Sequence, residues 1–270
     1  MLRMDARGRE RYAESIRRTI IDQSYRAGVG HIGSALSISD LVAAVIGGPA
    51  RLQDGSDRDR VILSKGHAAL ALYAALHLNG TLDEGAIDTY CGDGTLLGVH
   101  PEHLLDGVDF CTGSLGQGLS LGAGAALAAK RQGSGRRVFV IMSDAELNEG
   151  STWEAVMFAA QHRLDNLHLL VDLNGQQALG YTRDIIDLGV VEDKLTAFGW
   201  SARMVPGHDQ DALEEALRPA GDGRPSAIVA RTTFGYGVSF MESEIKWHYL
   251  PLDEEAYATA LADLEARAAA

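Results

Sequence analysis

The chain has little with which to cross-link itself. Its 270 residues include 2 cysteines, Cys91 and Cys111, too few for a disulfide framework and in keeping with a reducing compartment. Only 6 prolines are present, and no internal repeat, low-complexity tract or long linker interrupts the sequence. No apolar run approaches the ~20 residues that a membrane-spanning helix needs. The opening Met1-Leu2-Arg3-Met4-Asp5-Ala6-Arg7-Gly8-Arg9-Glu10 is charged and holds no apolar signal core. Positive charge is also scarce: Lys+Arg 24 against Asp+Glu 37 leaves a net charge of -13. That balance argues against nonspecific binding to nucleic acid or anionic membrane. A hydrophobic fraction of 46% and a charged fraction of 23% exclude disordered, collagen-like and coiled-coil chains. The expectation is one cytoplasmic domain, residues 1–270.

Glycine is what the chain has in excess: 31 residues, about 11% against the usual ~7%. They cluster at Gly28–Gly33, Gly92–Gly98, Gly113–Gly124 and Gly235–Gly237, places where backbone must approach something closely. Between the clusters, apolar runs alternate with helical patterns. Helices are expected over Glu10–Arg26, from Ser37 or Ser39 as N-cap, and over His67–Asn79, Ser151–Arg163, Asp209–Leu217 and Asp253–Ala270. Strands are expected at Val61–Leu63, Val138–Met142, Leu167–Leu173, Ser201–Val205 and Ala227–Arg231. The continuous apolar runs fit strands covered on both faces. The expected fold is therefore α/β, a parallel central sheet with helices on both faces.

A formal G-x-G-x-x-G, Gly28-Val29-Gly30-His31-Ile32-Gly33, follows a helix rather than a strand. The dinucleotide context fails, and a glycine C-cap explains the glycines. A stronger signal is Ser143-Asp144-Ala145-Glu146-Leu147-Asn148-Glu149-Gly150, directly after a buried strand and before a helix. The next strand runs into Asp172-Leu173-Asn174-Gly175-Gln176. In a parallel sheet both would lie at carboxyl ends of strands, where ligands bind. One carboxylate (Asp144) and one amide oxygen (Asn174) make a sparse, hard oxygen site, suited to Mg²⁺ completed by water and phosphate oxygens. The alternative is that Asp144 and Asn148 only cap the following helix. An EF-hand is excluded, because its glycine position holds Glu149 and its bidentate position Ala155. Thr112-Gly113-Ser114-Leu115-Gly116-Gln117-Gly118 forms a loop able to approach a ligand, and Gly118, Gly122 and Ala125 share a face suited to close helix packing. Among nine histidines, His31, His67, His100 and His248 stand beside glycine or in loops, positions open to polyol or phosphate recognition and proton transfer.

Together these residues resemble the thiamine-diphosphate enzymes, specifically the N-terminal, diphosphate-binding half of transketolase. The resemblance runs from about Arg9 to His248 through Gly30-His31-Ile32-Gly33, Ser64-Lys65-Gly66-His67-Ala68, Gly98-Val99-His100-Pro101-Glu102, Thr112–Gly118, Ser143–Gly150 and Asp172-Leu173-Asn174. Gly235-Tyr236-Gly237-Val238-Ser239-Phe240-Met241 and Lys246-Trp247-His248 are similar to split transketolases, in which two genes encode the two halves.

The resemblance implies that Asp144, Asn174 and the Gln176 main-chain carbonyl bind Mg²⁺, with Ca²⁺ as the alternative ion. It implies that His67, Gly113, Ser114, Leu115, Ala145, Glu149 and His248 belong to the thiamine-diphosphate site. His31, His100 and His248 would face the sugar, and Glu149 and Glu154 would lie at the subunit contact. The reaction implied is transfer of a two-carbon ketol unit from a ketose, in particular a phosphorylated one, to an aldehyde. Two departures stand out: Ser143-Asp144-Ala145 replaces Gly-Asp-Gly, and Leu173-Asn174 replaces Asn-Asn or Asp-Asn. Only residues 249–270 follow His248, so the family's pyrimidine-binding domain is expected on a separately encoded subunit, in an α2β2 assembly. Three other readings stay open: the alpha subunit of a 2-oxo-acid dehydrogenase, a deoxyxylulose-phosphate-synthase-like half, and a non-catalytic scaffold.

Overall fold

The short β-branched and leucine runs form strands because each is covered on both sides by helices. The computed structural model describes residues 3–53, 55–83 and 85–269. In chain order the elements are α1 (Ala6–Ala27), α2 (Ile32–Ser37), α3 (Ser39–Ile46), β1 (Arg60–Leu63), α4 (Ala69–Leu78), α5 (Gly118–Arg131), β2 (Val138–Ser143), α6 (Gly150–Gln161), β3 (Leu167–Leu173), β4 (Gln176–Gln177), β5 (Gly180–Tyr181), α7 (Thr182–Ile185), α8 (Val191–Ala197), β6 (Ser201–Pro206), α9 (Gln210–Ala216), β7 (Ser226–Arg231) and α10 (Glu254–Ala268). Ala270, the expected end of the last helix, lies outside the described residues, as do Met1 and Leu2.

Five strands form one sheet in the order β1-β2-β3-β7-β6, every neighbouring pair parallel. Alternate residues of β2 divide between two cores. Phe139 and Ile141 face Ile16, Ile20 and Ile21 of α1 and Val42 of α3, while Val138 and Val140 face Leu119 of α5 and Val156 of α6. That period of two with both faces apolar is the reason the strand reads as a continuous hydrophobic run. Each such side chain contributes roughly 1.5–3 kcal/mol on burial. Gly122 lets α5 lie on the sheet, since a methyl there would stand 2.5 Å from Val140 Cγ2.

The amino-terminal helices depart from expectation at one point. The second helix is two: Ile38 takes φ -101, ψ 3 and separates α2 from α3. Ser37 and Ser39 are therefore not N-caps. Ser39 bonds back to the Ala35 carbonyl (3.2 Å), and Ser37 reaches a carboxylate in the sheet. Gly28 does close α1 in the left-handed conformation (φ 65), as the glycine C-cap reading requires. The β4–β5 hairpin and α8 are elements that the sequence pattern did not announce. Among the described residues, no helix is long and apolar enough to cross a membrane.

Candidate active site

Register brings the two strand-end motifs together. Ser143 of β2 pairs with Asp172 of β3, so Asp144 and Asn174 leave the same edge of the sheet. Asp144 is fully buried, and its Oδ2 accepts hydrogen bonds from the Gly175 amide (2.9 Å) and from Thr182 Oγ1 (3.0 Å). The two loop tips are thus in direct contact. The capping alternative fails: the N-cap of α6 is Glu149, without a side-chain bond. Asn148 Oδ1 instead accepts from Gln177 Nε2 at 3.0 Å.

Ser143 opens a tight turn over residues 144–148, which Glu146 closes as a capping box. Glu146 accepts from the Ser143 amide (2.9 Å), from the Gly116 amide (3.0 Å) and from Ser64 Oγ. One buried carboxylate therefore ties the end of β2 to the end of β1 and to the glycine loop. Close approach is compulsory here, because a methyl on Gly118 would stand 2.8 Å from Ser64 Cα.

Beneath the tips lies a second charged layer. Lys65 Nζ is 2.5 Å from Asp172 Oδ2, with both side chains buried. Asp172 also accepts from Ser37 Oγ (2.7 Å), Thr232 Oγ1 and Asn174 Nδ2 (2.9 Å). With its nitrogen committed to Asp172 and Ser37, Asn174 turns its oxygen to the next loop, where it accepts from the Gln176 amide at 2.9 Å.

Burial, and then the charge of Asp172, push Asp144 up to about 7. A buried carboxylate in that position favours either a proton or a cation. Gln176 Oε1 is buried with no partner. The Asp144 carboxylate and the Asn174 amide oxygen are hard oxygen donors of the kind that suits a divalent ion sharing phosphate oxygens.

Three histidines gather opposite. Ring centroids of His31 and His67 are 5.5 Å apart, of His31 and His248 5.2 Å, and of His67 and His248 5.1 Å. His31 holds a left-handed backbone (φ 62), a strained conformation for a side-chain-bearing residue. Desolvation is the main cause of depressed basicity in all three: His31 is lowered, His67 is well below the ordinary value, and His248 falls to about 4. His67 Nε2 lies 3.1 Å from Ser34 Oγ. His100 is exposed and packs on Gly113, where a methyl would stand 2.7 Å from its Cδ2.

A cavity of about 240 Å³ opens between these groups, lined among others by His67, Leu115, Ala145, Glu149, Asn174 and His248. Asp144, His31, His100, Gly113 and Ser114 are not in that lining, and the Ala145 amide donates to Asp144 Oδ1 (2.9 Å) rather than into the cavity. Glu149 is exposed at its edge, and Glu154 is exposed on α6. A larger cavity of about 430 Å³ lies at the other end of the strands beside Arg51 and Arg137. Both of those arginines pair with Asp59, and Arg3, which also lines that cavity, pairs with Glu214. Sequence reasoning assigned no role to Lys65, Glu146 or Asp172. The available signal was a charged residue inside an otherwise apolar strand, as at Asp172.

Fold and site define a parallel α/β domain with its candidate site at the carboxyl ends of the strands, where ligands bind in such sheets. Residues 8–265 match the family described as transketolase, thiamine diphosphate binding domain, and the chain belongs to that family of transferases. It is 39% identical over 260 residues to the 6-deoxy-6-sulfo-D-fructose transketolase subunit SqwG of Clostridium sp. (strain MSTE9), covering 94% of each chain. It is 34% identical over 264 residues to an apulose-4-phosphate transketolase subunit of Phocaeicola vulgatus, covering 96% of this chain and 94% of that protein. The crystal structure of transketolase from Campylobacter jejuni superposes with a TM-score of 0.88 at 28% identity over 97% of this chain. This chain spans 43% of that one, but nearly the whole length of the subunit-type relatives.

Proposed function

We propose that this chain is the diphosphate-binding subunit of a two-component transketolase. It acts with a separately encoded pyrimidine-binding subunit, in an α2β2 assembly in the cytoplasm, on a ketose donor, phosphorylated or similarly anionic, and an aldehyde acceptor. The observation that carries this reading is the direct contact of Asp144 with the loop of Asn174 beside the His31–His67–His248 cluster. Asp144, Asn174 and the Gln176 main-chain carbonyl would hold Mg²⁺, or Ca²⁺ in its place, and Leu115, Glu149 and His67 would border the cofactor. Thiamine diphosphate, when bound, supplies an electron sink for the two-carbon unit.

The chain's own residues then have definable tasks. With their basicity depressed, His31, His67 and His248 are neutral at pH 7, and each offers one ring nitrogen as donor and one as acceptor. That pairing suits sugar hydroxyls and allows a proton to pass between ring nitrogen and substrate oxygen. His100, resting on Gly113, would meet substrate at the rim. Lys65 compensates Asp172, so Asp144 is left as the anion available to a cation.

The requirement for a partner is supported by the rim itself. Leu179 borders the cavity with 83% of its surface exposed, and Ile186 (57%), Tyr249 (56%) and Leu250 (47%) are exposed large apolar residues of neighbouring loops. Tyr249 Oη donates to the Ala178 carbonyl (2.6 Å), joining two of these segments. An apolar patch around a site marks an interaction surface. The relatives' names as transketolase subunits favour this reading over a 2-oxo-acid dehydrogenase component. The test is reconstitution with a separately encoded pyrimidine-domain subunit, followed by ketose-donor and 2-oxo-acid assays in parallel. Ketol transfer by the pair and not by the chain alone is expected. Decarboxylation of a 2-oxo acid, or full activity without the partner, would overturn it.

A further inference from the structure

The loop between His100 and Thr112 gathers three side chains of different ligand chemistry that the proposed reaction does not use. Glu102, His103 and Cys111 each present one ligand atom, all within 4.8 Å of one another. His103 Nδ1 is 2.6 Å from Glu102 Oε1 and 3.1 Å from Cys111 Sγ, and Cys111 Sγ is 3.2 Å from Glu102 Oε1. Among the described residues this is the one group of three or more such side chains so closely placed.

We propose that Glu102, His103 and Cys111 bind a zinc ion that staples the two legs of this loop. One thiolate, one imidazole and one carboxylate form a donor set that zinc accepts, whereas Mg²⁺ and Ca²⁺ select oxygen alone. With Zn–S at about 2.3 Å and Zn–N at about 2.0–2.1 Å, ligand atoms around a tetrahedral ion lie roughly 3.3–3.6 Å apart. The three atoms need to spread by less than about 1 Å to admit it.

The scaffold positions them without the ion. Tyr73 Oη donates to the His100 carbonyl (2.8 Å), and Thr112 Oγ1 donates to the Leu63 carbonyl (2.6 Å), anchoring the two ends. Consecutive turns between them bond the Leu105 amide to the Glu102 carbonyl (3.0 Å) and the Val108 amide to the Leu105 carbonyl (3.1 Å). Exposure of His103 and Cys111 gives an entry path and a fourth position for water. Binding would release the Cys111 thiol proton to solvent. His100 precedes the cluster by two residues and Gly113 follows it by two, so the ion would set the stiffness of the candidate site's rim.

The experiment uses the full chain, reduced with a phosphine and saturated with Mg²⁺ so that the hard oxygen site is occupied. Zn²⁺ is titrated against a chromophoric chelator, and Co²⁺ serves as the spectroscopic probe. One tight zinc per chain and a near-ultraviolet sulfur-to-cobalt charge-transfer band are expected. Cys111→Ser should abolish the band, and His103→Gln should weaken zinc binding by about a hundredfold or more. Cys91→Ser should change neither, and circular dichroism should be unaltered in all three. Absence of the band, its persistence in Cys111→Ser, or unchanged zinc affinity in His103→Gln would each overturn the proposal.

Discussion

Lys65 Nζ and Asp172 Oδ2 meet at 2.5 Å with almost no solvent contact, 1% and 0% of their side chains exposed. Ser37, Thr232 and Asn174 fill the remaining capacity of the carboxylate. Such a pair gains little over apolar packing, but half of it left alone is costly. Lys65→Met is expected to lose about 3–5 kcal/mol of unfolding free energy, measured by urea denaturation. The double substitution Lys65→Met with Asp172→Leu should recover part of that loss.

Asp144 carries the opposite expectation. Burial and Asp172 hold its pKa near 7, above the unfolded value, so ionising it at pH 8 works against the folded apo chain. Asp144→Asn removes that cost. It should melt no lower than the parent without ligands, yet lose the thermal stabilisation expected of the parent when the proposed Mg²⁺ and thiamine diphosphate are added. A large loss of apo stability would argue that the carboxylate is structural.

The rim patch can be tested apart from the chemistry. Leu179→Asp places a charge on a side chain that is 83% exposed, so the isolated chain should change by no more than about 0.5 kcal/mol. Assembly with the proposed pyrimidine-domain subunit, followed by sedimentation, should weaken by at least about tenfold, the equivalent of about 1.4 kcal/mol.

His168 supplies an acid-sensitive element remote from the site. It is buried in β3, stacked on Phe139 at a centroid distance of 4.9 Å, and desolvation lowers its pKa to about 4. A folded value below the unfolded 6.5 means the unfolded chain binds the proton first. Stability is therefore lost as pH falls from about 6.5 to about 4, up to roughly 3 kcal/mol. His168→Gln should show a smaller drop in unfolding free energy between pH 7.5 and 4.5 than the parent does.

Legibility in the sequence followed the range of the interactions. β3 was readable as Leu167–Leu173 because burial on two faces leaves a continuous apolar run. That Asp144 and the Asn174 loop meet was readable because both motifs stand directly after the strands that place them. Lys65, Glu146 and Asp172 were not, since Ser64 meets Glu146 and Lys65 meets Asp172 only once the sheet order is known. The break at Ile38 carries neither glycine nor proline, and the Ser37 side chain that it frees answers to Asp172, far along the chain.

That interruption makes the amino-terminal helices more than cladding. Ser37, the last residue of α2, is where the first third of the polypeptide touches the amide that aims the Asn174 oxygen. A fragment trimmed to the strands and their crossovers would keep every proposed cation ligand and lose one of the two bonds that hold the Asn174 nitrogen. The bend at Ile38 thus ties the amino-terminal helices to the loop of Asn174.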